Sequence, residues 1–249
     1  MSELVQGALR QVLSGDSLSE ESMAAVLGAV MDGGVATELT AGLLCALAMR
    51  GETVEELAGA ARAMRSKVTR VSAPEGAVVV DTCGTGGDGA GTFNISTTTA
   101  FVVAACGATV AKHGNRAMSG ATGSADVLEA LGVKIDLSPE GVQQCIEEVG
   151  FGFMFAQRYH PSMRFAAGPR REIGIRNVFN ILGPLTNPAG AKRQVIGVAD
   201  PAMARRMAEV LGILGSERAL VVHGDDGMDE LSVTGPSQVW ELKDGSVNE

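Results

Sequence analysis

No stretch of this sequence is long and apolar enough to span a bilayer. The longest, around Ala100 to Ala111, falls well short of the roughly 20 residues that a spanning helix needs. Met1 to Leu13 lacks a basic region followed by an apolar stretch, so no secretory signal is expected. The four cysteines, Cys45, Cys83, Cys106 and Cys145, include no C-x-x-C pair, and the three histidines, His113, His160 and His223, show no metal-ligand spacing. Both facts argue against a zinc site and for free, buried thiols in a reducing cytoplasm. Positive charge is scarce: 20 Lys and Arg stand against 29 Asp and Glu, a net charge of -9. Such a chain has no global field to draw in nucleic acid or an anionic membrane, and neither partner is expected. A phosphorylated ligand would have to be held by local groups. Internal repeats and low-complexity segments are also missing.

What is present points to a folded chain. Its 249 residues, 45% of them hydrophobic, can bury a core of one or two domains. Glycine is over-used, with 33 residues, many in one stretch; that suits close backbone approaches. From Ser2 to about Arg65 the pattern is helical. Leu4, Val5, Ala8, Leu9, Val12 and Leu13 keep the helical period, and Ser19-Glu20-Glu21 opens a second helix. Thr37 is read as the cap of a third, and Thr53-Val54-Glu55-Glu56 as the capping box of a fourth.

After Pro74 the pattern changes. Val78 to Val80 reads as a buried strand ending at Asp81, Ala100 to Cys106 as a helix, and Ala108 to Ala111 as a second strand. Ser124 to Leu131 is helical, and Ser138-Pro139-Glu140 caps another helix. Phe151 to Phe155, Val195 to Val198 and Ala219 to Val222 supply more strands. Strands alternating with helices imply an α/β domain with a mainly parallel sheet. The expected organisation is a helical domain over 1–70 and an α/β domain over 74–249, with part of 161–190, which lacks strand signals, packed on the helical domain. Gln238 to Leu242 alternates like a strand and Lys243-Asp244-Gly245 reads as a turn; a further strand should follow, so the α/β domain is expected to be incomplete at its C-terminal end.

Four constellations carry chemistry. Asp81-Thr82-Cys83-Gly84-Thr85-Gly86-Gly87-Asp88 follows a strand, where open α/β sheets place ligands, and its glycines let N–H groups converge on an anion. It is neither a Walker loop nor a dinucleotide fingerprint; by itself it is equally a tight turn. Thr92 to Thr99 opens the next helix with more hydroxyls than one cap needs, as a phosphate-binding helix start would. Lys112 to Gly120, followed by Ala121 to Asp126, interleaves two cations with glycines and hydroxyls, a local positive cluster after the second strand. Asp229-Glu230 could hold hydrated magnesium, although acidic surface turns are common.

Taken together, these motifs resemble the anthranilate phosphoribosyltransferase family. The resemblance rests on Gly84 to Asp88, Asn94 to Thr97, Lys112 to Arg116, Gly123 to Gly132, Phe155-Ala156-Gln157, His160-Pro161, Phe179 to Pro188 and Asp229-Glu230, in this order along the whole chain. It implies a small N-terminal helical domain plus a larger α/β domain, a homodimer through the helical part, and transfer of the 5-phosphoribosyl group of phosphoribosyl pyrophosphate (PRPP) to anthranilate with magnesium. Gly84, Gly87, Asp88, Thr92, Asn94, Ile95, Ser96 and Thr97 would cradle PRPP. Lys112, His113, Gly114, Asn115, Arg116, Ala117, Met118, Ser119, Gly120 and Ser124 would hold its phosphates. Ser96 would ligate one magnesium, and Asp229 with Glu230 a second. Gly84, Asn115, Tyr159, His160, Met163, Arg170 and Pro184 would meet anthranilate, Arg170 through the carboxylate. Lys112 and Asn115 are the catalytic candidates; no general base is nominated.

Two departures stand out. Ala121 occupies a position where many members carry lysine, which bears on one phosphate contact, and members usually continue for many more residues. The rival enzyme is a pyrimidine-nucleoside phosphorylase, against which Asp229-Glu230 and the Asn115/Arg170 pair speak. The rival from another class, a silent nucleic-acid-binding relative, needs a basic groove that a net charge of -9 disfavours.

Overall fold

The computed structural model describes residues 1–117 and 122–249. The chain divides into two compact units, Met1–Val68 with His160–Thr186, and Thr69–Tyr159 with Asn187–Glu249. In chain order the helices are α1 (Ser2–Leu13), α2 (Glu20–Met31), α3 (Thr37–Arg50), α4 (Val54–Ser66), α5 (Ile95–Ala105), α6 (Ser124–Ala130), α7 (Pro139–Val149), α8 (Ala156–Tyr159), α9 (Arg164–Ile173), α10 (Phe179–Leu185) and α11 (Pro201–Ile213). The strands are β1 (Val79–Gly84), β2 (Thr109–Gly114), β3 (Phe151–Phe155), β4 (Arg193–Gly197), β5 (Arg218–Gly224), β6 (Ser237–Lys243) and β7 (Ser246–Asn248).

The first unit is helical. α2 and α4 lie so close that a Cβ on Gly59 would sit 2.2 Å from the Glu20 carbonyl oxygen. Ser19 caps α2 by accepting the Ser22 N–H. Thr53 and Glu56 form the capping box of α4. The third expected cap differs: Ala36 precedes α3, Thr37 is its first residue, and no side chain caps that end. Glu56 does more than cap. Its buried carboxylate also accepts the Leu18 N–H at 2.8 Å and is ion-paired with Arg50. α10 is tied to α4 where Arg65 Nε donates to the Leu185 carbonyl at 2.7 Å.

The second unit is built on a sheet of order β3-β2-β1-β4-β5-β6-β7. β3, β2, β1, β4 and β5 run parallel; β6 and β7 are antiparallel additions. α7 packs Val142 and Ile146 on Ala111 and Met154, while α6 packs Leu128 with Phe153. The strand order reverses between β1 and β4, the switch point at whose carboxyl ends α/β sheets take ligands.

Several boundaries correct the sequence reading. β1 runs on to Gly84 rather than ending at Asp81, and β2 to Gly114 rather than Ala111. Thus Lys112 and His113 are strand residues, not loop residues. α5 starts at Ile95, five residues before the expected helix. A short strand, β7, does follow the Lys243–Gly245 turn. The cysteines are free, yet Cys45 and Cys106 are exposed rather than buried. Among the described residues no helix is long and apolar enough to cross a membrane.

Removing the Glu56 carboxylate takes the counter-charge from the Arg50 guanidinium and leaves the Leu18 and Thr53 N–H donors without their acceptor. Glu56→Ala is expected to cost about 3 kcal/mol, the range for breaking one side of a buried pair, read as a lowered denaturation midpoint.

Candidate active site

Three segments meet at the switch point within the second unit. The first is the end of β1 with its glycine loop. The second is the start of α5, and the third the acidic loop after β5.

Lys112 is the hub. β2 carries it into the interior, where it is 1% exposed. Its ammonium donates to the Thr82 carbonyl and, at 3.3 Å, to Ser96 Oγ. Burial lowers its pKa, and Asp81, Cys83 and Glu230 work in the opposite direction. Asp81, on the same strand as Thr82, is also buried. Its carboxylate accepts Asn187 Nδ2 at 2.7 Å and the His113 N–H at 3.3 Å. Burial raises its pKa against the pull of Lys112. Asn187 also donates to the Ala111 carbonyl at 2.9 Å, fixing β2 beside β1.

The first turn of α5 is anchored on both sides. Thr82 Oγ1 donates to the Ser96 carbonyl at 2.8 Å, and the Ser96 N–H donates toward the Glu230 carboxylate. Asn94 does not cap the helix with its side chain; its Nδ2 reaches the Thr122 carbonyl at 3.2 Å. Thr97 Oγ1, in a residue 2% exposed, has no hydrogen-bond partner among the described residues. A buried hydroxyl without a partner is unusual in a folded protein and suits a ligand-facing position.

The acidic loop is seated by glycines. A Cβ on Gly197 would fall 1.5 Å from the Asp229 carbonyl oxygen, and one on Gly84 2.9 Å from Asp229 Oδ2. Gly84 and Gly197 are register partners at the ends of β1 and β4. Asp229 Oδ2 accepts the Gly86 N–H at 2.9 Å, and the Asp229 N–H reaches Asp88 Oδ2 at 3.4 Å. Burial, then the Asp88 charge, raises the Asp229 pKa. Burial, then Asp229, pushes Glu230 up to about 7. Among the described residues no three His, Cys, Asp or Glu side chains make a metal cluster by themselves. A cation here would draw ligands from two crowded carboxylates, a serine hydroxyl, water and phosphate oxygens. That donor set is all hard oxygen, and it fits magnesium.

The expected positive cluster is divided. Lys112 is interior, whereas Arg116 pairs with Asp126 and Glu129 at 2.8 Å and lies over the Phe155 ring. Its hydrogen bonds to Glu129 and Asp126 raise its pKa. Asp126 accepts the Ala117 and Gly123 N–H groups, and Ser124 Oγ donates to the Asn115 carbonyl at 3.2 Å. Gly123 must be glycine-small, because a Cβ would lie 2.4 Å from the Ala117 nitrogen. Gly84 ends β1; Gly87, Asp88 and Thr92 lie in the loop after it, and Gly114 ends β2. Met118, Ser119 and Gly120 lie outside the described residues. Tyr159 belongs to this unit and donates to the Leu137 carbonyl at 3.0 Å. His160, Met163, Arg170 and Pro184 belong to the helical unit. There Arg170 lies over the Phe179 ring, its pKa lowered by burial.

Comparison with known proteins matches the chain to a family. The helical bundle domain of the glycosyl transferase family matches residues 6–68, and its a/b domain matches 76–249. The anthranilate phosphoribosyltransferase of Desulfatibacillum aliphaticivorans is 57% identical over 239 residues, which is 96% of this chain and 70% of that protein. The chain belongs to the anthranilate phosphoribosyltransferase family. The Pelotomaculum thermopropionicum member is 57% identical over 98% of this chain and 70% of its own length. Among solved structures, the Thermus thermophilus member superposes with a TM-score of 0.89 at 50% identity, covering 96% of this chain and 71% of that one. The Saccharomyces cerevisiae member, in complex with PRPP and Mg, gives 0.87 at 26% identity, covering 98% and 73%.

The motifs of this family member were legible, but the supporting contacts were not. Asp81, Thr82 and Asn187 lie within motifs that the sequence singles out, but what they support, through contacts distant in sequence, was not visible there. Gly197 carried only the weak signal of a glycine closing a strand.

A side chain at Gly197 must displace the Asp229 backbone. Gly197→Ala is expected to loosen the acidic loop, read as limited proteolysis within 225–236 about tenfold faster than in the parent, since cleavage tracks local opening.

Proposed function

We propose that this chain transfers the 5-phosphoribosyl group of PRPP to the amine of anthranilate, giving N-(5-phosphoribosyl)anthranilate and pyrophosphate in tryptophan biosynthesis. The observation that carries the reading is the buried Lys112 ammonium beside Ser96 at the start of α5, facing the Glu230 side of the acidic pair. Family membership supports it.

In the reaction the C1–O bond of the ribose to pyrophosphate breaks as the anthranilate nitrogen forms its bond to C1. Negative charge collects on pyrophosphate and positive charge on the sugar ring. Lys112 and the N–H groups at the start of α5 are placed to stabilise the departing anion. Ser96, Asp229 and Glu230 would hold magnesium, which when bound adds charge neutralisation to the same leaving group. The attacking aromatic amine is neutral at pH 7 and has a free lone pair, so no base is required before attack; its proton leaves afterwards. Positioning then supplies much of the rate.

The proposed roles follow the fold. Gly84, Gly87, Asp88, Thr92 and Asn94 to Thr97 cradle PRPP, and the segment after β2 with Ser124 holds its phosphates. The unpartnered Thr97 hydroxyl supports the cradle. Asn115, Tyr159, His160, Met163 and Pro184 contact anthranilate, and Arg170 takes its carboxylate. Burial disfavours the charge on Arg170, and a carboxylate ligand would offset that. The reading includes a cytoplasmic homodimer through the helical unit.

The experiment follows loss of anthranilate fluorescence with the purified chain, PRPP and magnesium. A loss that needs all three components establishes the transferase; no loss under any magnesium concentration removes the reading for this chain. Asp229→Asn with Glu230→Gln should raise the magnesium requirement roughly tenfold or more, and an unchanged requirement would remove these residues from the metal site. Arg170→Ala should raise the anthranilate KM about 10- to 100-fold, the range for a charge-assisted hydrogen bond, with PRPP binding retained. A matching loss of PRPP affinity would assign Arg170 elsewhere.

A further inference from the structure

We infer that Thr82 is a positioning residue for the transfer: its hydroxyl sets the first turn of α5 against β1 and so sets Ser96 against Lys112. The inference rests on the function proposed above.

Ser96 is held at three atoms. Its N–H faces Glu230, its Oγ accepts from Lys112 at 3.3 Å, and its carbonyl accepts from Thr82 Oγ1 at 2.8 Å. Two of these three contacts involve groups proposed to meet ligands, so they compete with substrate and metal for the same lone pairs and donors. The third does not. Thr82 is 5% exposed and has no proposed contact with PRPP, magnesium or anthranilate. Its backbone carbonyl also receives the Lys112 ammonium. One residue therefore touches both Ser96 and Lys112, from behind, through its side chain and its main chain respectively.

This arrangement matters because the other anchors of Ser96, Lys112 and Glu230, are the groups proposed to meet ligands. Asn94 supplies no side-chain cap, and only Thr97 and Ala100 of the helix are buried. An α-helix end without a cap frays readily. Fraying here would move Ser96 Oγ and the adjacent N–H groups relative to Lys112. Pre-organised donors lose much of their value when displaced by as little as about 1 Å. The Thr82 hydroxyl is the one side-chain donor from β1 that prevents it among the described residues.

The test compares Thr82→Val, which keeps the shape and removes the donor, with Thr82→Ser, which keeps the donor. In the unliganded proteins, amide hydrogen exchange at Ser96 to Thr99 should speed up about three- to tenfold in Thr82→Val, the size of one net hydrogen bond. It should stay within about twofold in Thr82→Ser. Calorimetric titration of PRPP with magnesium should show a Kd raised about three- to tenfold in Thr82→Val and restored in Thr82→Ser, with the anthranilate KM unchanged. A lowered Tm in Thr82→Val with unaltered exchange in the first turn and unaltered PRPP affinity would overturn the inference and leave Thr82 a packing residue. If exchange responds while the parent protein itself binds no PRPP, the positioning of α5 stands and the functional reading falls, so the two failures are separable.

Discussion

A charged lysine inside a protein demands neutralisation, and Lys112 sets that demand at the centre of the second unit. Desolvating an ammonium costs several kcal/mol even after relaxation. The cost is offset by the Thr82 carbonyl and the Ser96 hydroxyl directly, and by Asp81 and Glu230 at longer range. Those four groups come from three pieces of chain: Asp81 and Thr82 from β1, Ser96 from the start of α5 and Glu230 from the loop after β5. Holding one ammonium thus holds the three segments in register.

The charge balance of this cluster is uneven. Asp81, Asp88, Asp229 and Glu230 outnumber the single interior cation; burial raises the pKa of Asp81, and burial together with repulsion from neighbouring carboxylates raises those of Asp229 and Glu230. A purely structural network would gain by pairing its charges. This one keeps a surplus of partly buried carboxylate at the carboxyl ends of parallel strands, where the sheet order reverses. A divalent cation would relieve that surplus, and a polyphosphate would then meet the cation, Lys112 and the helix start together. The excess acid is intelligible as half of a site whose other half is ligand.

How much of this could be read from the residues depended on whether a feature was local. The caps at Ser19, Thr53 and Ser138 use contacts three residues away, and they were legible. So was the alternation of strand and helix, which follows from runs such as Phe151 to Phe155. The strand ends were not. Lys112 and His113 look like surface residues, so the sequence pattern ends β2 at Ala111; only the sheet's burial of both residues shows that the strand continues. The acidic pair was a weak signal for the same reason. Nothing in Asp229-Glu230 shows that Gly86 and Ser96 will meet it, 143 residues away in the case of the Gly86–Asp229 bond.

The glycines divide along the same line. Those of the loop after β1 announce themselves as a cluster, and Gly86 and Gly87 do adopt positive φ. Gly197 has no such backbone requirement and stands alone between valine-rich neighbours. Its constraint comes from the Asp229 backbone, which passes where its Cβ would be. A glycine required by its own dihedral angles is visible as a turn, whereas one required by another segment is visible only once the chain has folded. The acidic loop therefore depends on a missing side chain in β4, much as the carbonyl of Ser96 is held by the Thr82 hydroxyl from β1. In both cases the candidate site groups are placed by residues whose chemistry is ordinary and whose position is not.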